Sequence, residues 1–244
     1  MRALRTLIIV VVVLGGLFVI ADRVAVNFAE NEAADRLRAN EGLASTPDVS
    51  IKGFPFLTQV VGGELDDVEV GIPDYEASSG DGGDTVRITG LKADMRGVVF
   101  SGDFSSATAR SATGSATIPY DELLKAAQSE PTEIAPGVTA RVVGLSDGGN
   151  GKIKIELDGT VLGVDLPRPV SVLSSVAVED GTVRLRADSL PNLGADLGEE
   201  SVRSLTDFQQ AIDQLPGGIQ LDKVEGAADG VRITVKGSDV KLAG

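Results

Sequence analysis

Residues 147–158 read Asp147-Gly-Gly-Asn-Gly-Lys-Ile-Lys-Ile-Glu-Leu-Asp158, and this stretch decides the fold class. Ile153, Ile155 and Leu157 alternate with Lys152, Lys154, Glu156 and Asp158, so an extended chain here has one dry face and one wet face. The Gly-Gly-Asn-Gly run ahead of it supplies residues that accept positive φ, which is hairpin chemistry. A half-solvated strand entered by a hairpin belongs to an antiparallel sheet. The pattern recurs along the chain. Val183 and Leu185 alternate with Arg184 and Arg186 after the turn signal at 179–181, and Val231, Ile233 and Val235 alternate with Arg232, Thr234 and Lys236 after the one at 228–230. Leu65, Val68 and Val70 open an earlier strand, and Val86 and Ile88 continue the pattern. After Gly90 the apolar phase moves by one residue, to Leu91, Ala93 and Met95, which marks a bulge.

Three segments depart from this period. Residues 22–41 carry Val26, Ala29, Ala33 and Leu37 at helical spacing with charges between them, and Gly42 and Pro47 end that helix. Residues 119–128 start with Pro and place acids in the first turn of a short helix. Residues 199–215 put Val202, Leu205, Phe208, Ala211, Ile212 and Leu215 on one helical face, and residues 216–218 (PGG) stop it. The expected class is α+β: a long, twisted, mainly antiparallel sheet with two or three helices against its apolar face.

The first residues are of another kind. Arg2 and Arg5 precede residues 7–21, LIIVVVVLGGLFVIA, which carry no charge. As a helix these span about 22 Å against a hydrocarbon core of about 30 Å. The stretch reads as a signal peptide with a cleavage site at Val19-x-Ala21 or as a signal anchor. The anchor is favoured because the helix runs on through Asp22 and Arg23 without a break, the charged pair snorkelling at the interface. In both cases the basic end stays in the cytoplasm and the rest is exported. The expected organisation is a signal segment at 1–21, an amphipathic helix at 22–46 and a single exported antiparallel-sheet domain at 47–244.

Composition removes several function classes. There are 22 basic and 36 acidic residues, a net −14, and a nucleic-acid partner needs the opposite balance. No Cys and no His are present, which excludes thiolate metal sites, cysteine nucleophiles, Ser-His-Asp triads and the usual neutral-pH base. Close carboxylates occur at Asp66-Asp67, Asp81 and Asp84, and Glu199-Glu200. Adjacent acids on a strand point to opposite faces, and Asp81 and Asp84 fall in the glycine loop 78–84, so a carboxylate hydrolase is a remote reading. That loop lacks the ligand series of a calcium site and reads as a solvated turn. Residues 144–152 fail as a phosphate loop, because Ser146 stands where the first Gly is needed and a strand follows Lys152. No catalytic residue, metal or cofactor is expected. What remains is aliphatic strand surface, which is the core of an ordinary sandwich or an open groove for lipid tails.

The most distinctive run is residues 49–63, VSIKGFPFLTQVVGG. Read as an extended segment, it projects Phe54 and Phe56 to one side, Pro55 keeps it at a sheet edge, and the Gly pair permits a tight bend. With this run, the N-terminal segment and helix, the strand at 65–70, the IPYDEL segment at 118–123 and the closing DGVRITVKG at 229–237, the chain resembles the LmeA-like family of actinobacterial cell-envelope phospholipid-binding proteins over nearly its whole length. The resemblance implies a tubular, TULIP-like half-pipe in which a curved sheet wraps around helix outside the cytoplasmic membrane. It also implies a phospholipid partner, phosphatidylinositol-type in members of the family, and a part in envelope glycolipid assembly.

On that footing the candidate lipid contacts are Phe54, Phe56 and Leu57 of the motif, and the inward strand residues Val68, Val70, Ile88, Met95 and Phe100. Further along they are Ile153, Ile155, Leu157, Val183, Leu185, Ile233 and Val235. Arg184, Arg186, Lys152 and Lys154 are either basic groups at a groove mouth or solvated strand faces. The competing function is a structural or interaction protein of the envelope with a filled core.

Overall fold

The computed structural model describes residues 2–79, 84–102, 106–127, 131–179, 181–188, 208–211 and 218–243. The chain runs α1 (Arg2–Glu41), β1 (Asp48–Lys52), α2 (Phe56–Gly62), β2 (Glu64–Ser79), β3 (Asp84–Phe100), β4 (Ala107–Pro119), α3 (Tyr120–Ala127) and β5 (Thr132–Ala135). It continues through β6 (Val138–Gly149), β7 (Lys152–Val161), β8 (Val164–Asp165), β9 (Val170–Glu179) and β10 (Thr182–Ala187), then β11 (Phe208–Ala211), β12 (Ile219–Ala227) and β13 (Gly230–Ala243). The class is α+β, and every pairing whose register is described is antiparallel.

Instead of one long sheet there are two open ones. Six strands run β1-β2-β3-β4-β13-β12 and seven run β11-β10-β9-β7-β6-β5, with β8 on β7. Alternation along a strand says which face is dry but not which distant strand becomes its neighbour, so the division into two was not legible. The local signals fared better. Gly149 pairs with Lys152, and the two turn residues Asn150 (φ 55°) and Gly151 (φ 77°) both adopt the left-handed region a tight hairpin requires. Gly90 has φ 59° where the phase shifts in β3. A second shift at Gly97 (φ 58°) brings Val98 into the core. The helix expected at 199–215 is corrected in part: residues 208–211 form β11, pairing Phe208 with Leu185 and Gln210 with Val183. The rest of that segment lies outside the described residues. Its apolar spacing fits a helix, but β10 offers an open edge whose ladder bonds override local period.

The chain divides into two compact units, and β2, β3, β4 and β13 contribute residues to both. The first holds residues 1–73, 92–113 and 237–244. Here α1 packs on β1 and α2. The β1–β2 register sets Val49 and Ile51 opposite Val70 and Val68 on one face, and Ser50 and Lys52 opposite Glu69 and Asp67 on the other. Of the expected helical stripe Val26 is buried and Ala29, Ala33 and Leu37 are half-buried, and the neighbouring Ala34 is buried as well. Because β1 is an edge, its outward N–H groups need partners. Ile51 N–H donates to Glu30 Oε1 of α1 at 2.8 Å, so the helix closes that edge with a side chain. Gly42 (φ 64°) ends α1, and Leu43 N–H donates to the Arg38 carbonyl at 3.0 Å.

The second unit holds residues 74–91 and 114–236. Strand β12 packs across β9, β6 and β7, so sheet lies on sheet, with α3 against β6. Ile153, Ile155, Leu157, Val172, Ala187, Val224 and Val231 form the buried centre. The backbones of the two sheets meet at Gly226, whose N–H donates to the Gly151 carbonyl at 2.9 Å. A Cβ there would sit 2.8 Å from the Lys152 carbonyl carbon, nearer than atoms can pack. Tyr120 of α3 donates its hydroxyl to the Ala227 carbonyl at 3.0 Å. Burial, with Asp147 adding to it, pushes the Tyr120 phenol up.

Candidate functional site

The 53–59 motif is not an extended edge. Gly53 takes φ 94°, the Phe54–Pro55 peptide is cis, and Pro55 precedes the first turn of α2. The positive φ favours glycine at 53, and a side chain there would displace the Gln59 amide and the Asp66 carboxylate. Phe54 and Phe56 therefore do not share a side. Phe56 is 7% exposed, and Phe54 is 57% exposed with the Arg23 guanidinium 5.3 Å from its ring centroid. The reason is that α2 begins between them.

The remaining motif residues tie this short helix in place. The Leu57 N–H donates to Asp22 Oδ1 of α1 at 2.8 Å, and Thr58 Oγ1 donates to the Pro55 carbonyl at 2.8 Å. Gln59 bridges the neighbouring chain: its Oε1 accepts from Asp66 N–H at 2.7 Å and its Nε2 donates to the Lys52 carbonyl at 3.4 Å. Gly63 (φ 75°) closes α2 in the left-handed conformation, which is the bend the Gly pair foretold. Asp22 itself is wholly buried and also accepts from Arg23 Nη2 at 2.6 Å. Its carboxylate caps α2, a role that sequence reading missed because its partner lies 35 residues away.

The sequence-derived contacts separate between the units. In the first, Val68 and Val70 share the β2 face with Val49 and Ile51, and Met95 and Phe100 lie half-buried on β3. In the second, Ile153, Ile155 and Leu157 are buried in the sheet–sheet centre. Val183, Leu185 and Ile233 pack against that centre while keeping part of their surface exposed, as do Val142, Leu145, Val176, Val178 and Leu221. Ile88 and Val235 are half-buried outside this cluster. The second unit's apolar surface thus has two grades: a dry middle and a partly accessible margin.

Of the four basic residues that could line a mouth, three pair with nearby acids and the fourth, Arg186, is exposed on β10. Lys152 Nζ donates to Asp188 at 2.7 Å, Lys154 lies 3.2 Å from Glu156, and Arg184 bonds Glu179, which fits solvated strand faces better than a basic mouth. Lys152 and the Ser175 hydroxyl hold the Asp188 carboxyl below the usual aspartate range. Lys125, with Arg87 adding to it, does the same for Glu122 in the first turn of α3. Asp66 and Asp67 point to opposite faces as adjacent strand residues must; Asp66 is exposed and Asp67 half-buried. Asp67, Glu69 and Asp94 bring carboxylate oxygens within 4.8 Å of one another, but cations already occupy them. Lys52 bonds Glu69, and Arg96 lies 3.9 Å from Asp67 and 3.4 Å from Asp94. Asp81, Glu199 and Glu200 lie outside the described residues.

Among the described residues, one helix, α1, is long and apolar enough to cross a membrane. What these elements define is an antiparallel α+β scaffold that presents aliphatic surface of graded accessibility. The chain belongs to the LmeA-like phospholipid-binding family, whose model matches residues 20–236. No curated protein and no solved structure was found to match the chain.

Proposed function

We propose that the protein is an extracytoplasmic phospholipid-binding protein, anchored in the cytoplasmic membrane by α1, that holds acyl chains against aliphatic strand surface and supports transport or assembly of envelope lipids. The observation that carries this reading is the graded apolar surface of the second unit, in a chain of a phospholipid-binding family. Moving one 16-carbon chain from bilayer to water costs on the order of 12 kcal/mol at about 0.8 per CH₂. A carrier must offset most of that with contiguous aliphatic contact, and Val183, Leu185 and Ile233 are part-exposed aliphatic side chains beside the buried centre that would contribute to it. The half-pipe architecture belongs to this proposal: an open sheet with one apolar, part-exposed face is the element from which such a pipe is built. The paired state of Lys152, Lys154 and Arg184 supports recognition through acyl chains first, with the head group, phosphatidylinositol-type or another, left at the solvent side. No nucleic acid, metal or cofactor enters this reading. The basic residues ahead of the apolar run support a location outside the cytoplasm.

The test is native mass spectrometry of the full chain released from detergent, followed by lipid extraction. Stoichiometric phospholipid is the expected result. A lipid-free protein that also takes up no added phosphatidylinositol or phosphatidylethanolamine would overturn the proposal in favour of an interaction protein with a filled core.

A further inference from the structure

Helix α1 does not stop where its apolar run stops. Residues 7–21 cover about 22 Å, several ångströms less than the hydrocarbon thickness, so an anchor of this length draws the turns that follow it down to the membrane surface. The next two turns, residues 22–28, contain the groups that meet the 53–59 motif. Val24 (64% exposed) and Phe28 (72%) turn away from the first unit, while Asp22 and Val26 face into it. Asp22 would be a costly charge at this depth, but it presents none to its surroundings: the carboxylate is fully enclosed between Arg23 and the Leu57 N–H. Arg23 lies over the Phe54 ring, an apolar body beside a charged tip, which suits a head-group layer. Phe54 itself is exposed beside residue 23 of the helix.

We propose that this corner, α1 around residues 22–28 together with Phe54, is seated in the outer interfacial layer of the phospholipid bilayer that holds α1. The proposal rests on the reading of α1 as a membrane anchor. Phe54 then touches lipid at the membrane surface rather than the interior of a groove, and the motif's internal bonds serve to hold that contact at a fixed height on the anchor. The bilayer is favoured over a protein partner by continuity: the exposed apolar surface at 24, 28 and 54 adjoins a helix whose apolar run is wholly unburied.

The chain has no cysteine, so single-cysteine variants of the full protein carry one label each. Val13→Cys, Phe54→Cys and Asn40→Cys would be labelled with an environment-sensitive fluorophore in phosphatidylcholine–phosphatidylglycerol vesicles. Asn40 is exposed on α1, 12 residues past Phe28 and so about 18 Å further along the helix. Nitroxide lipids spin-labelled at the head group should remove most of the fluorescence at 54, and deep-labelled ones most of that at 13, with neither reaching 40. Label at 54 that responds like label at 40 would overturn the seating. So would quenching at 40 equal to that at 54, which means α1 lies flat, or an unquenched label at 13. Shielding at 54 accompanied by energy transfer between fluorophores on different copies would replace the bilayer by a second chain. Lipid retained after detergent extraction of the same samples is scored separately, so a lipid-bound protein with an unquenched position 54 loses only this inference.

Discussion

Ile155→Ala separates core from lipid-contacting surface. Ile155 is 4% exposed at the middle of β7 and pairs with Val172, which is fully buried. The substitution removes three carbons, about 2.4 kcal/mol at ~0.8 per CH₂. A cavity term follows because two sheets with backbone in contact at Gly226 have little freedom to collapse. The total falls within the range of about 2–5 kcal/mol seen for such truncations. Urea unfolding of the full chain in detergent, followed by circular dichroism, should show a lower midpoint with little change in slope. Phospholipid bound per folded molecule should stay the same, because this residue packs against protein. An unchanged midpoint with loss of bound lipid would refute the reasoning and make Ile155 a groove residue.

Other substitutions test other joints. Gly226→Ala forces a methyl onto the Lys152 carbonyl and should destabilise by about 1–3 kcal/mol in the same titration. Glu30→Ala leaves the Ile51 N–H at the β1 edge without its acceptor and should cost about 1 kcal/mol, with faster amide exchange at Ile51. The Asp188 carboxyl, held low by Lys152 and Ser175, contributes stability that is present above the ordinary aspartate pKa near about 4 and lost as pH falls through its lower folded value. Lys152→Met should therefore narrow its gap to the wild type as the pH drops below about 4, and a gap that is constant from neutral to strongly acid pH would contradict the assignment.

What the sequence disclosed follows the range of the forces involved. The Asn150-Gly151 turn and the phase shift at Gly90 depend on a few adjacent residues, and both stand where the pattern placed them. The sites where α1 and α3 end or begin were legible for the same reason. The 53–59 motif was misread because its conformation is set from outside. Asp22 is 35 residues upstream, and Gln59 reaches Lys52 and Asp66 only once α2 has formed. Residues 208–211 have helical spacing, yet the open edge of β10 takes them as a strand. Among the candidate contacts, apolar alternation identified Ile155 and Leu185 equally. Only the packing of β12 over β7 and β9 makes the first a core residue and leaves the second part-exposed.

The central claim is that acyl chains lie on the part-exposed aliphatic margin of the second unit. The direct test is photocrosslinking of the full chain, in detergent, with a phosphatidylcholine that carries a diazirine near the end of one acyl chain, followed by peptide mapping. The account predicts adducts on the β10 and β13 peptides that contain Val183, Leu185 and Ile233. Adducts confined to the apolar run of α1, with none on β10 or β13, would contradict it.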